Sequence, residues 1–149
     1  MKEFNEQMER ESREIFGDRR VVFGDGKINA EIMLIGEAPG GEEEKQGRPF
    51  VGKAGKNLDE FLEIVGLERE DLYISNVVKI RPFKLSPKTN KPVNRPPDKA
   101  ELSFFVPLLH KEIELVNPKL IVTLGNFALK NVLMDQKVSI GDYQGQLTE

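Results

Sequence analysis

The amino-acid sequence predicts an α/β fold, a parallel sheet with helices on both faces. Ala30–Ile35, broken only by Glu31, is the near-continuous apolar run of a strand buried on both sides. Leu72–Val78 and Leu120–Leu124 read as a second and a third strand. Each gives way to a loop and then to a stretch of helical periodicity. That alternation puts ligands at the carboxyl ends of the strands.

Residues 2–16 read as a charged helix whose sparse apolar positions are Phe4, Met8 and Ile15. Val21-Val22-Phe23 is a short strand-like run, and Gly24-Asp25-Gly26 a turn. The first long strand stops abruptly in Gly36-Glu37-Ala38-Pro39-Gly40-Gly41. Residues 54–65 place Leu58, Phe61, Leu62 and Val65 on one helical stripe. Residues 81–97 hold five prolines and no periodicity, the mark of a long loop. A helix follows from about Asp98, with Leu102, Phe105, Val106, Leu109 and Ile113 inward and a kink or restart expected at Pro107. Gly125 stops the third strand, and Asn126 caps a helix to about Leu133.

A length of 149 residues fits one domain with one core. There is no cysteine, which excludes disulfides, thiolate metal sites and cysteine nucleophiles. One histidine, His110, excludes a histidine-rich metal site, and a surface or half-buried structural role suits it. The net charge of −3 neither demands nor excludes nucleic acid, because a local basic patch is what DNA requires. The N-terminus is charged from the start, and no apolar run is long enough to span a bilayer. A soluble, cytoplasmic monomer is the expectation.

Three features fall where a site belongs: the Gly36–Gly41 loop, the segment Arg48-Pro49-Phe50-Val51-Gly52, and Asn76 within the second strand. Glycines let a backbone approach a ligand, but such a loop alone is equally a tight strand-to-helix turn. No phosphate-binding or dinucleotide motif is present. Asn76 can donate and accept at once, which matches a pyrimidine edge; capping a turn at the strand's end is the plainer account. Phe50 offers a face for stacking on a base, or simply packs inward. Between Lys79 and Lys99, seven basic residues, among them Arg81, Lys84, Lys88, Lys91 and Arg95, stand against the single acid Asp98. That segment reads as a phosphate-contacting patch or as a merely soluble loop.

Taken in order, Val21–Gly26, Gly36–Gly40, Gly47–Gly55, Tyr73–Lys79, Asn94-Arg95-Pro96 and Pro118–Gly125 resemble the iron–sulfur, or family 4, uracil-DNA glycosylases over roughly residues 18–145. The resemblance implies a three-layer α/β/α sandwich with a short central parallel sheet. It implies a hydrolase of base-excision repair that flips uracil out of DNA and cleaves its N-glycosidic bond. Phe50 would stack on the uracil, Asn76 would bond its edge, and Gly36–Gly40 would frame the sugar and the attacking water. The position of a water-activating aspartate in the classical enzymes is Ala38 here, so the water would fall to a backbone carbonyl or to Glu37 or Glu43.

Two departures qualify the resemblance. The cluster cysteines are replaced: Met8–Glu11 stand near the first pair, Ile80 at the third position and Phe105 at the fourth. No iron–sulfur cluster or other cofactor is expected. The chain also stops before the family's late His-Pro motif, so a truncated or fragmentary domain with an exposed sheet edge is expected. The alternative to a glycosylase is a non-catalytic uracil- or DNA-binding domain, or an inactive fragment, of the same fold.

Overall fold

In the computed structural model, which describes residues 1–133 and 147–148, side chains of the central strands alternate between two helical layers. Strand β1 is Asp25–Gly26, β2 Ile32–Gly36, β3 Tyr73–Asn76, β4 Phe83–Leu85, β5 Pro92–Asn94, β6 Leu120–Thr123 and β7 Leu147–Thr148. Helix α1 is Lys2–Phe16, α2 Gly41–Gln46, α3 Lys53–Val65, α4 Lys99–Val116 and α5 Asn126–Leu133. The main sheet runs β1-β3-β2-β6-β7, with β3, β2 and β6 parallel and both outer strands antiparallel. Met33, Ile35, Tyr73 and Ile121 pack toward α1, α4 and α5; Leu34, Ile74 and Val122 pack toward Leu58 and Leu62 of α3. This is the expected α/β/α sandwich, and the period of two along each strand builds it.

The helices settle several details. Met8 and Ser12 are the buried residues of α1, and Phe4 and Phe16 continue their stripe, while Ile15 is 60% exposed. The inward stripe of α4 is Glu101, Phe105, Leu109, Glu112 and Val116, so two carboxylates share the buried face. Leu102, Val106 and Ile113 flank it. Pro107 lies inside α4 without ending it. His110 is half-buried and meets the Asn131 carbonyl of α5 at 2.8 Å.

Other expectations are corrected. Val21 and Val22 are buried but form no strand; the edge pairing occurs two residues later, at Asp25 and Gly26. Gly26 has φ 112°, and a Cβ there would meet the Leu72 carbonyl oxygen at 2.0 Å, so only glycine fits that edge. The stretch 81–97 is a hairpin rather than a plain loop, with β4 and β5 paired from Phe83–Asn94 to Leu85–Pro92. Its tip closes through Ser86 N–H to Lys91 O at 2.9 Å. Strand β7 pairs with β6 at Ile121 and Val122 and forms the outermost strand on that side of the sheet. Among the described residues no helix is long and apolar enough to cross a membrane.

Glu101 ties the base of that hairpin to the body. Asp98 caps α4 and exchanges backbone bonds with Glu101, the reciprocal arrangement that a carboxylate three residues into a helix permits. The same buried carboxylate accepts from Arg95 at 2.8 and 3.0 Å and from Arg19 at 2.7 Å. Burial works against its charge, but the bonds from Arg95, the Asp98 N–H and Arg19 prevail and hold it near 2, below the usual 4.5. A depressed carboxylate contributes stability that is complete above pH 4.5 and is lost as pH falls toward 2. Glu101→Gln should therefore flatten the acid limb of stability between those limits, measured as urea midpoints across pH. Glu101→Ala should cost about 3 kcal/mol at neutral pH, because it leaves two guanidinium groups without their partner.

Candidate functional site

Strand register brings the first two site residues together. Gly36 ends β2 and Asn76 ends β3, and the two are direct partners in the parallel ladder. The Val77 N–H continues that pairing to the Gly36 carbonyl at 2.8 Å. Asn76 is buried, at 3% exposure, and lines the small cavity described below.

Phe50 reaches the same point from the loop before α3. A Cβ on Gly36 would stand 2.4 Å from the Phe50 ring and 2.7 Å from Asn76 Oδ1, so the bare backbone of Gly36 is what lets ring and amide converge. Phe50 has φ 55°, a left-handed backbone that a bulky residue holds only when its neighbours enforce it. Three contacts do so. Glu43 Oε2 accepts from the N–H groups of Val51 at 2.9 Å and Gly52 at 2.7 Å. Arg69, paired with Asp59 at 2.6 Å, donates to the Pro49 and Phe50 carbonyls. Gly55 packs its backbone against the Phe50 carbonyl, where a Cβ would stand 2.0 Å away.

Glu43 also accepts from the Gly40 N–H through Oε1 at 3.0 Å. Its carboxylate thus joins the glycine loop to the Phe50 loop, and both oxygens are engaged. Ala38, Glu43, Phe50, Ala54 and Asn76 line a cavity of about 60 Å³. Glu37 is exposed on the loop beyond Gly36, outside that lining, and among the described residues its carboxylate has no partner. Glu43 supplies this clamp from the first turn of α2.

The basic segment divides. Lys84, Lys88 and Lys91 are exposed on the hairpin. Arg81 donates to Asn94 Oδ1 at 2.8 Å and lies against Gly41, bracing the hairpin on the glycine loop. Arg95 is taken up by Glu101 and by the Phe83 carbonyl. Lys79 departs from its expected place in the patch. It is fully buried, with Nζ 2.8 Å from Glu112 and a further bond to the Asn76 carbonyl, and cannot meet a phosphate. The sequence signal missed was its position one residue beyond a buried strand, flanked by Val78 and Ile80.

The positions that the resemblance assigns to cluster thiolates can be tested against their surroundings. Met8, Ile80 and Phe105 are buried in one apolar core, and Phe105 packs with Phe16 and Phe104 at centroid distances of 6.0 and 4.8 Å. An iron–sulfur cluster needs thiolate or imidazole donors, and these side chains offer neither, so the residues do not fit that group. Among the described residues no group of three His, Cys, Asp or Glu could hold a metal ion.

Several known proteins are close to this chain in sequence. The chain is 47% identical over 112 residues to a type-4 uracil-DNA glycosylase of Sulfurisphaera tokodaii, covering 74% of this chain and 47% of that protein. It is 45% identical over 125 residues to one from Thermotoga maritima, covering 84% and 60%. A third, from Saccharolobus solfataricus, is 42% identical over 132 residues, covering 86% and 57%. The chain thus spans about half the length of the curated relatives it matches. The Uracil DNA glycosylase superfamily profile matches residues 23–147, across both loops, the cavity and the hairpin, and the chain belongs to that superfamily.

Proposed function

We propose that this chain acts on uracil in DNA: it admits a flipped uracil nucleotide and hydrolyses its N-glycosidic bond, as a single copy and without an iron–sulfur cluster. The convergence of Phe50 and Asn76 on one cavity, over the bare backbone of Gly36, carries the reading. In it, the Phe50 ring stacks on the base, and the Asn76 amide donates to and accepts from the uracil edge. Gly36 supplies the clearance that lets the ring approach the amide. The exposed lysines Lys84, Lys88 and Lys91 meet phosphates flanking the target.

Cleavage breaks the bond between C1′ and N1, and the electron pair leaves with uracil as its anion. Donors aimed at the base oxygens stabilise that charge as it develops. Water bonds to C1′ and releases a proton, and solvent protonates the departing uracil. Glu37 is the carboxylate free to face the cationic sugar and accept the water's proton, while Glu43 acts as the clamp between loops. Ala38 leaves the cavity wall beside them without a second charge.

Single-turnover excision from a uracil-containing oligonucleotide, against its thymine counterpart, tests the reading. Tight, uracil-selective binding without excision would instead support a non-catalytic domain. Glu37→Gln should slow excision by about 10²-fold with the melting temperature unchanged, whereas Glu43→Gln should lower the melting temperature as well. Equal excision by Glu37→Gln and the parent would remove Glu37 from the chemistry.

Recognition is tested separately. Asn76→Asp should weaken the preference for uracil, because a carboxylate cannot donate as the amide does. Phe50→Ala should lose stacking worth roughly 1–3 kcal/mol of binding to a flipped-uracil analogue. Unchanged binding by both variants would refute the site.

The hairpin makes a further measurable contribution. Neutralising Lys84, Lys88 and Lys91 together should flatten the salt dependence of DNA binding by about 0.9 in slope per lost contact. An unchanged slope would mean that the hairpin faces away from DNA.

A further inference from the structure

Beneath Asn76 lies a buried polar network that the chemistry above does not use. Lys79, Glu112, Tyr73 and Ser75 are each at most 1% exposed. The Lys79 ammonium pairs with Glu112 Oε1 at 2.8 Å. Tyr73 donates to Glu112 Oε2 at 2.6 Å, and the Ser75 hydroxyl reaches both carboxylate oxygens at 3.1 and 3.0 Å. Lys79 then turns back on the strand end and donates to the carbonyl of Asn76, three residues earlier. Burial, with Glu112's charge second, pushes the Tyr73 phenol above its ordinary range, so it remains a donor.

Stability alone gives little reason for such a pair. Apolar residues of similar volume commonly replace a buried ion pair without loss. The bond to the Asn76 carbonyl is different, because an apolar side chain cannot make it. That carbonyl begins the peptide joining Asn76 to Val77, and its orientation sets where the Asn76 side chain leaves the backbone. The Asn76 side chain lies on the cavity wall, so the strand end that carries it sets where its amide points.

We propose that Lys79 is a positioning residue for base recognition: its ammonium, held by Glu112, Tyr73 and Ser75, fixes the peptide after Asn76 and thereby the direction of the amide. This rests on the reading of Asn76 as the residue that meets the uracil edge. Lys79 touches no substrate atom. It acts through the residue that does.

Two variants separate positioning from general support. Glu112→Gln removes the ion pair but keeps a Lys79 nitrogen able to donate to the Asn76 carbonyl, and a carbonyl able to accept from Tyr73 and Ser75. The double variant Lys79→Met, Glu112→Gln removes that nitrogen while the interior stays uncharged. The two should melt within about 4 °C of one another. The preference for a uracil oligonucleotide over its thymine counterpart should persist in Glu112→Gln and fall about tenfold in the double variant, the worth of one hydrogen bond. The Asn76 side-chain resonances should stay dispersed in Glu112→Gln and move toward averaged positions in the folded double variant. That second readout needs no ligand, so it tests Lys79 even if the parent shows no preference for uracil, a result that would instead overturn the proposed function. A folded double variant with the Asn76 resonances or the uracil preference unmoved overturns the proposal. Should the double variant not fold, the parent decides: Lys79 Nζ protons protected from solvent and coupled to the Asn76 carbonyl support it, and freely exchanging ones overturn it.

Discussion

Three backbone N–H groups from two separate loops converge on the carboxylate of Glu43, and the working end of the molecule depends on that convergence. Charge-assisted bonds of this kind are about twice as strong as neutral ones, and they fix direction as well as distance. Glu43 gathers the N–H groups on one side of the Phe50 turn while Arg69 gathers carbonyls on the other. Between them the loop has no freedom to relax from its left-handed conformation. The glycines Gly36 and Gly55 then supply clearances through which the ring approaches the sheet. Remove the clamp and the cavity loses two walls at once.

Helix α4 plays the corresponding part on the other side of the sheet. Its buried stripe carries one carboxylate near each end: Glu101 receives the arginines at the base of the hairpin, and Glu112 receives the lysine behind Asn76. The apolar residues between them, Phe105 and Leu109, seal that line against the core. The helix that would elsewhere be a passive layer therefore anchors both the basic arm and the base-facing strand.

The architecture was legible because the three central strands lie in largely apolar runs and the longer helices between them carry apolar positions at helical spacing. Gly36, Phe50 and Asn76 were legible as candidates from chain order and resemblance. Their convergence was not, since it follows from ladder register and from two clearances that need coordinates. Lys79 was misread because a charge in a basic stretch looks solvated until its buried partner, 33 residues later on another element, is known. The edge strand was displaced to Asp25 and Gly26 because apolar residues can be buried without pairing, and Val21 and Val22 are. Glu101 could have been read from its spacing to Asp98, a capping pair, but nothing in that spacing discloses the two arginines.

Arg19 belongs to the segment that follows α1 and Arg95 to the end of the hairpin, yet both close on Glu101, and the Arg19 guanidinium also lies 5.8 Å from the Phe16 ring and 5.5 Å from that of Phe83. Two stretches far apart in the chain therefore share one fastening. Local opening of a protein proceeds in cooperative units drawn by such shared contacts rather than by sequence neighbourhood. By that principle the basic arm should open together with the segment that follows α1, and amide exchange in the hairpin should follow that of residues 16–19 more closely than that of the sheet.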